Sequence, residues 1–321
     1  MLSLLMKSFK MKAGYFLLLV FLSSCIHDIP VPRPKTVYRT KNVIILVMDG
    51  ARYSETWGEP TQAYIPHIKL LAGRGVMCTG FYNDGQTVTV PGHTAMTTGF
   101  YQQINNVGME TPDHPSIFQY YLSQTSKPPT DAWVISTKDK LEVLSDCLDS
   151  SWAGQFRPRT DCGVNGNHTG YREDSTTYEH MFDTLQKYHP HLVLINFKQP
   201  DMSGHANNWV EYINGTQKVD QYVWDLWSFL QHDSAYAETT TLFVTNDHGR
   251  HTQGVYDGFV SHWCGCDGCR HIFLLGLGPD FKTNYLEATH YSLVDIPATA
   301  AELMGISMPG TEGNVMTTIL K

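Results

Sequence analysis

The segment Val43-Ile-Ile-Leu-Val-Met-Asp49 constrains this chain more than any other. It is an unbroken apolar, largely β-branched run, closed by Asp49 and Gly50, with no polar residue to face water. Such a run reads as a strand covered on both faces, the situation of a parallel sheet flanked by helices. Comparable runs follow at AWVIST (132–137), HLVLINF (191–197), TTLFVTND (240–247) and HIFLLGLG (271–278). Helical periodicity fills the intervals: IPHIKLLAGR, HPSIFQYYLSQ, residues 174–188, WVEYINGTQKVDQYVWDLWSFLQ and LVDIPATAAELMG. Buried strands alternating with helices predict an α/β fold, a doubly wound and mostly parallel sheet with helices on both faces. In such sheets ligands bind beyond the carboxyl ends of the strands. Asp49, Lys138, Asp201 and Asp247 stand at or just past those ends.

The first 24 residues carry Lys7, Lys10 and Lys12 and no acid, then the run AGYFLLLVFL, then Leu22-Ser-Ser-Cys25. Lysines, a short apolar stretch and small residues before a cut make a secretory signal. The run is shorter than the roughly 20 residues that span a bilayer. LSSC resembles a bacterial lipobox, in which Cys25 is lipidated. The expectation is an exported lipoprotein on the periplasmic or cell-surface side of a bacterial membrane. Residues 25–41, with Pro30, Pro32 and Pro34, read as a stiff tether, and residues 42–321 as a single catalytic domain. Within it, 145–175 is rich in Gly, Asp and Asn and lacks periodicity, as expected of a loop or small cap over the site. Net charge is −8 despite the amino-terminal lysines, so no nucleic-acid surface is expected.

Removing Cys25 leaves Cys78, Cys147, Cys162, Cys264, Cys266 and Cys269. The spacing Cys264-x-Cys266-x-x-Cys269 suits thiolate binding of a metal, but a structural site needs a fourth ligand. Export favours disulfides, so a stapled loop is the expectation there, with Cys147 and Cys162 a second staple. His251, in DHGRH, reads as a solvated loop residue.

The chemistry resides in five dispersed motifs. Asp49 closes VMDGARY; Thr89 lies in TVTVPGHTAMTTG, where Pro91 suits the first turn of a helix; Asp201 and His205 form DMSGH; Asp247 and His248 form DHG; His262 precedes the last strand in FVSHWCGCDGC. These are three carboxylates, three imidazoles and a hydroxyl at one edge of one sheet. Two zinc ions suit such donors, since Asp and His are ordinary zinc ligands and each ion keeps an open position. Paired ions about 4 Å apart clamp the entering and leaving oxygens of a displacement at phosphorus. The hydroxyl of Thr89 would be the nucleophile, with helix N–H groups facing the phosphoryl oxygens.

The order D … T-x-P-x-H … D-x-x-x-H … DH … H resembles that of the alkaline phosphatase superfamily. The likeness is greatest to its type I phosphodiesterase/nucleotide pyrophosphatase branch and to phosphonoacetate hydrolase, over nearly all of residues 43–310. It implies an alkaline phosphatase-like core that hydrolyses phosphate esters or diesters through a phosphothreonine. Two divalent ions, zinc by preference, would be held by Asp49, Thr89, Asp247 and His248 on the nucleophile side and by Asp201, His205 and His262 on the other. The partner implied is a small phosphorylated substrate. Asn105 or Asn106 in TGFYQQINNVG would stand in for an asparagine that touches the phosphoryl oxygen. STKDKLEVL resembles a KDKL motif whose lysines hold a substrate carboxylate, which implies anion-binding roles for Lys138 and Lys140, with Arg250 beside them. Where the nucleotide pyrophosphatases follow the third histidine with glycine, Trp263 stands here. A formylglycine sulfatase would need Cys or Ser at position 89, and phosphonate hydrolysis, phosphoryl transfer or a silent binding lipoprotein are the other readings of the same fold.

Overall fold

The computed structural model describes residues 37–321; the expected signal segment (1–24), Cys25 and most of the tether (25–41) lie outside the described residues. The described strands are β1 (Asn42–Met48), β2 (Val76–Tyr82), β3 (Ala132–Ser136), β4 (Arg159–Cys162), β5 (Leu192–Phe197), β6 (Thr240–Thr245), β7 (His271–Leu277), β8 (Tyr285–Glu287) and β9 (Tyr291–Ser292). The helices are α1 (Pro66–Ala72), α2 (Thr89–Thr98), α3 (Ile117–Thr125), α4 (Asp174–Tyr188), α5 (Asp201–His205), α6 (Trp209–His232), α7 (Asp267–Arg270) and α8 (Asp295–Met304). One sheet runs β4-β3-β5-β1-β6-β7-β2-β8, with β9 also on β2. The stretch from β4 to β6 is parallel throughout. β7 is antiparallel to both neighbours. This is the mostly parallel α/β sheet that the apolar runs predict, and each of the five expected strands is present.

β1 shows why its sequence must be apolar throughout. Successive side chains of a strand point to opposite faces. Val43, Ile45 and Val47 therefore enter one core, with Met96 of α2, Phe118 of α3 and Ile296 of α8. Ile44, Leu46 and Met48 enter the other, with Leu71 of α1, Leu185 of α4 and Val223 of α6. Helix starts are secured locally. Ser116 and Gln119 form a capping box at α3, and the Asn208 side chain accepts from the Glu211 amide at α6.

Two expectations are corrected here. Residues 145–175 are not only a loop or cap, because they contain β4, which extends the sheet beside β3 from Trp133↔Arg159 to Ser136↔Cys162. β4 escapes detection because an edge strand this short, with a polar sequence, has no apolar alternation to announce it. The rest of the stretch still reaches the site, where the Tyr171 ring lies 6.0 Å from Lys138 Nζ. Nor is there a staple: among the described residues the six cysteines form no disulfide. Cys162 lies at the end of β4 with its Sγ 3.6 Å from the Val134 carbonyl, committed to the sheet rather than to Cys147.

Candidate active site

The carboxyl ends of β1, β5 and β6 bring the acidic residues together. Gly50, just after Asp49, has φ +70°, and a Cβ there would lie 2.8 Å from the Asp201 Cβ. Only glycine lets the chain turn this tightly against α5. The Asp201 amide in turn donates to the Asp49 carbonyl at 3.0 Å. Asn196, on β5 beside β1, donates to Asp49 Oδ2 at 3.0 Å and so orients that carboxylate. Asp247 Oδ1 accepts from the Gly50 and His248 amides at 3.1 and 3.0 Å.

α2 delivers the hydroxyl. Thr89 is its first residue, and Gly92 lets the helix approach β6, since a Cβ there would come within 2.7 Å of the Asp247 carbonyl oxygen. His93, fully buried, meets the Thr89 carbonyl through Nδ1 at 2.8 Å and Asn196 through Nε2 at 3.2 Å. Burial pushes the His93 imidazole down to about 4, so it is a neutral strut. The Val90 amide donates to Asn106 Oδ1 at 2.8 Å. Asn106, rather than Asn105, is therefore the asparagine placed next to Thr89. Lys140 Nζ donates to the same Oδ1 at 3.1 Å.

Asp201 and His205 lie one turn apart on α5 and share a face. His262 joins them from the loop before β7: its Nε2 is 3.0 Å from His205 Nε2 and 3.4 Å from Asp201 Oδ1. His262 Nδ1 donates to the Thr87 carbonyl at 2.7 Å, and His248 Nδ1 to the Gly249 carbonyl at 2.8 Å. In each case the Nε2 lone pair is left facing the centre, the tautomer a metal ligand needs. His271 and His290 take no part. His271 stacks between Tyr53 and Tyr82, and His290 pairs with Asp84 at 2.8 Å.

The donor set fits divalent metal. Asp247 Oδ2 and His248 Nε2 are buried 3.3 Å apart, and neither has a hydrogen-bond partner among the described residues. Asp49, Asp201 and His248 form one group, and Asp201, His205 and His262 another, with ligand atoms within 4.8 Å of one another. Burial, then the Asp49 charge, holds the Asp247 carboxyl well above the usual carboxylate range. Burial holds His248 well below its ordinary value and also lowers His205, which keeps both rings neutral. Buried, mutually repelling oxygens beside bare imidazole nitrogens form a set that a cation completes.

Lys138 lies closer to the chemistry than an anion-holding role at the rim requires. Its Nζ donates to Asp201 Oδ2 at 2.7 Å, Asp49 Oδ1 at 2.8 Å and Thr89 Oγ1 at 3.0 Å. Burial opposes its charge, but the carboxylates of Asp201, Asp49 and Asp247 outweigh it and raise the pKa above the ordinary lysine value. Arg250 lies at the same Asp201 carboxylate. It is fully buried, and its guanidinium is spent on Asp201 Oδ1 and the carbonyls of Phe259 and Val260. It straps a loop to a carboxylate, with each of its three nitrogens donating to a protein oxygen. The reason is Gly204, whose missing Cβ leaves the space Arg250 fills. His251, read from the sequence as a solvated loop residue, is instead fully buried, its ring turned toward Cys264 and Cys269; Asn196 and Thr87 were given no role from the sequence. Asn196, the one polar residue in the apolar β5 run, is a usable signal; Thr87 lies in a loop and gives none.

Fold and donors together define a metal-dependent enzyme on an alkaline phosphatase-like sheet. The chain belongs to the Metalloenzyme superfamily, whose sequence profile matches residues 41–308. A curated relative, the 2,3-bisphosphoglycerate-independent phosphoglycerate mutase of Gracilaria tenuistipitata var. liui, is 26% identical over 132 residues. That match takes in 41% of this chain and only 24% of the relative. Solved structures share the fold. The phosphonate monoester hydrolase of Silicibacter pomeroyi aligns with TM-score 0.64 and 13% identity, over 87% of this chain and 76% of that one. Murine ectonucleotide pyrophosphatase/phosphodiesterase 5 aligns with TM-score 0.61 and 14% identity, over 87% of this chain and all of the other. An alkaline phosphatase superfamily protein from Vibrio parahaemolyticus gives 0.66 and 16%, over 88% and 71%.

Proposed function

We propose that this protein hydrolyses phosphate esters or diesters at a two-metal centre, through a covalent phosphothreonine on Thr89. The observation that carries the reading is the Thr89 hydroxyl at the start of α2, 3.0 Å from Lys138 Nζ and facing the Asp/His set. Asp49, Thr89, Asp247 and His248 would hold one ion, and Asp201, His205 and His262 the other, with zinc suited to these donors. Bound ions would supply Lewis-acid charge to the oxygens entering and leaving phosphorus. Thr89 Oγ1 gives its proton to solvent water and attacks phosphorus as the ester oxygen departs and takes a proton from solvent. Water then attacks the same phosphorus, releasing the product and restoring the hydroxyl. Lys138 holds positive charge beside Oγ1 as it becomes an oxyanion, and Asn106, fixed by Val90 and Lys140, turns its amide nitrogen toward the phosphoryl oxygens.

Threonine at the nucleophile position speaks against a formylglycine sulfatase. Murine ectonucleotide pyrophosphatase/phosphodiesterase 5 has been captured in inactive form with AMP, which favours a small phosphoester here too. The same reading has the protein exported and anchored through lipid on Cys25. The deciding experiment measures kcat/KM for a nitrophenyl phosphate monoester and the matched diester, using zinc-loaded protein from residue 26 onward. Hydrolysis of either, lost in Thr89→Ala, supports the proposal, and the preferred ester assigns phosphatase or phosphodiesterase. Silence on both with metal bound overturns it in favour of phosphonate hydrolysis, phosphoryl transfer or ligand binding alone.

A further inference from the structure

The loop between β6 and β7 carries a second side-chain cluster, separate from the reaction centre. Cys264, Cys266 and Cys269 converge on one imidazole nitrogen. His251 Nδ1 is 3.1 Å from Cys264 Sγ, 3.6 Å from Cys266 Sγ and 3.2 Å from Cys269 Sγ. Cys264 Sγ and Cys269 Sγ are 3.8 Å apart, far outside a disulfide bond. A tetrahedral zinc with Zn–S of about 2.3 Å and Zn–N of about 2.0 Å puts sulfur about 3.8 Å from sulfur and about 3.5 Å from nitrogen. All four ligand atoms lie within 4.8 Å of one another. His251 and Cys269 are fully buried, and Cys264 and Cys266 partly so. The Cys266 amide donates to Cys264 Sγ at 3.3 Å, a bond that favours a thiolate.

We propose that His251, Cys264, Cys266 and Cys269 form a structural Cys3His zinc site, which clamps the two arms of the loop that carry Arg250 and His262. The backbone around it is built for this closure. Gly249 and Gly268 meet main chain to main chain, where a Cβ on Gly249 would lie 2.0 Å from the Gly268 carbonyl oxygen. The Gly249 amide donates to the Cys269 carbonyl at 2.8 Å, and the His251 amide to the Ser261 carbonyl at 3.0 Å. Thr87 ties the cluster to the catalytic side: its hydroxyl donates to the Cys264 carbonyl at 3.0 Å, while its own carbonyl holds His262. Between His262 and Cys264, Trp263 has φ +118°, a region costly for any residue but glycine, and one that persists only where the surroundings over-determine it. Four fixed ligands provide that constraint. The metal-binding claim is independent of the proposed phosphoesterase, whereas the positioning of His262 for a catalytic metal rests on that reading.

The test replaces the metals of the full mature protein with cobalt(II). Thiolate ligands give an intense near-ultraviolet sulfur-to-cobalt charge-transfer band, which oxygen and imidazole donors do not. Wild type should show that band, and Cys266→Ser and Cys269→Ser should lose it together with one metal per chain. Asp201→Ala should keep the band while losing metal from the catalytic side. His251→Cys, which preserves four ligands, should retain one thiolate-bound cobalt. Amide exchange across 249–263 should quicken on the order of tenfold in Cys266→Ser. Absence of the band in folded wild-type protein, or isolation of that protein with two of the three cysteines in a disulfide, overturns the proposal. A charge-transfer band without phosphoester hydrolysis leaves the zinc site standing and rejects the catalytic reading; hydrolysis without the band does the reverse.

Discussion

Lys138 is an ammonium enclosed by the carboxylates of Asp49 and Asp201 and the Thr89 hydroxyl, so on the proposed mechanism its removal should act on every substrate alike. Lys138→Met should lower kcat on the order of 10²-fold for neutral and acidic esters together, because charge facing the developing oxyanion is lost. A rise in KM confined to acidic esters would instead return Lys138 to an anion-holding role at the rim. Thr89→Ala should cost on the order of 10³-fold or more in turnover while leaving metal content near that of wild type. Loss of folding in that variant would count against the nucleophile assignment. Asp201→Ala and His205→Ala should each lower the number of bound metals by atomic emission, and unchanged stoichiometry would remove them from the ligand set.

At the scale of elements, the centre depends on how closely α2 can approach the end of β6. A methyl group at Gly92 would meet the Asp247 carbonyl oxygen at 2.7 Å, and backbone there cannot swing aside. Gly92→Ala should therefore destabilise the fold by about 1–3 kcal/mol and lower kcat, since Thr89 moves with the helix. Ser116→Ala offers the contrast. It removes the capping box of α3, a helix that carries none of the candidate site residues, and should cost about 1 kcal/mol in urea unfolding with kcat unchanged.

For the whole molecule, with the buried Asp49, Asp201 and Asp247 as the proposed metal ligands, folding and metal binding form one equilibrium. Chelation should lower the Tm and readdition of zinc restore it. Free metal at a hundredfold above its Kd is worth about 2.7 kcal/mol per site. A Tm indifferent to chelator would mean that the carboxylates are satisfied without metal. Anchoring is tested on the intact chain by metabolic labelling with a fatty acid, which Cys25→Ser should abolish. Labelling that survives the substitution would remove the lipobox reading.

The strands were legible because burial on both faces leaves a local mark, an apolar run with no polar residue for several positions. The carboxylates of the candidate site were legible for a related reason: Asp49 and Asp247 sit where such runs stop, and the sheet edge there is the place for a ligand. Asp201 and His205 were legible as a D-x-x-x-H pair just past the β5 run, and Thr89 from Pro91 suiting a first helical turn, again local properties. Encounters between loops were not legible. Arg250 disappears into the gap above Gly204 and binds Asp201, although 49 positions separate the pair. His251 meets cysteines 13 to 18 positions away only because Gly249 and Gly268 allow two backbone segments to touch. β4 joins the sheet through hydrogen bonds that its polar sequence does not advertise. Apolar patterning reports what must leave water and is written along the chain. Which polar side chains then face one another is set by strand order and by the close passage of distant backbone, and those belong to the folded molecule.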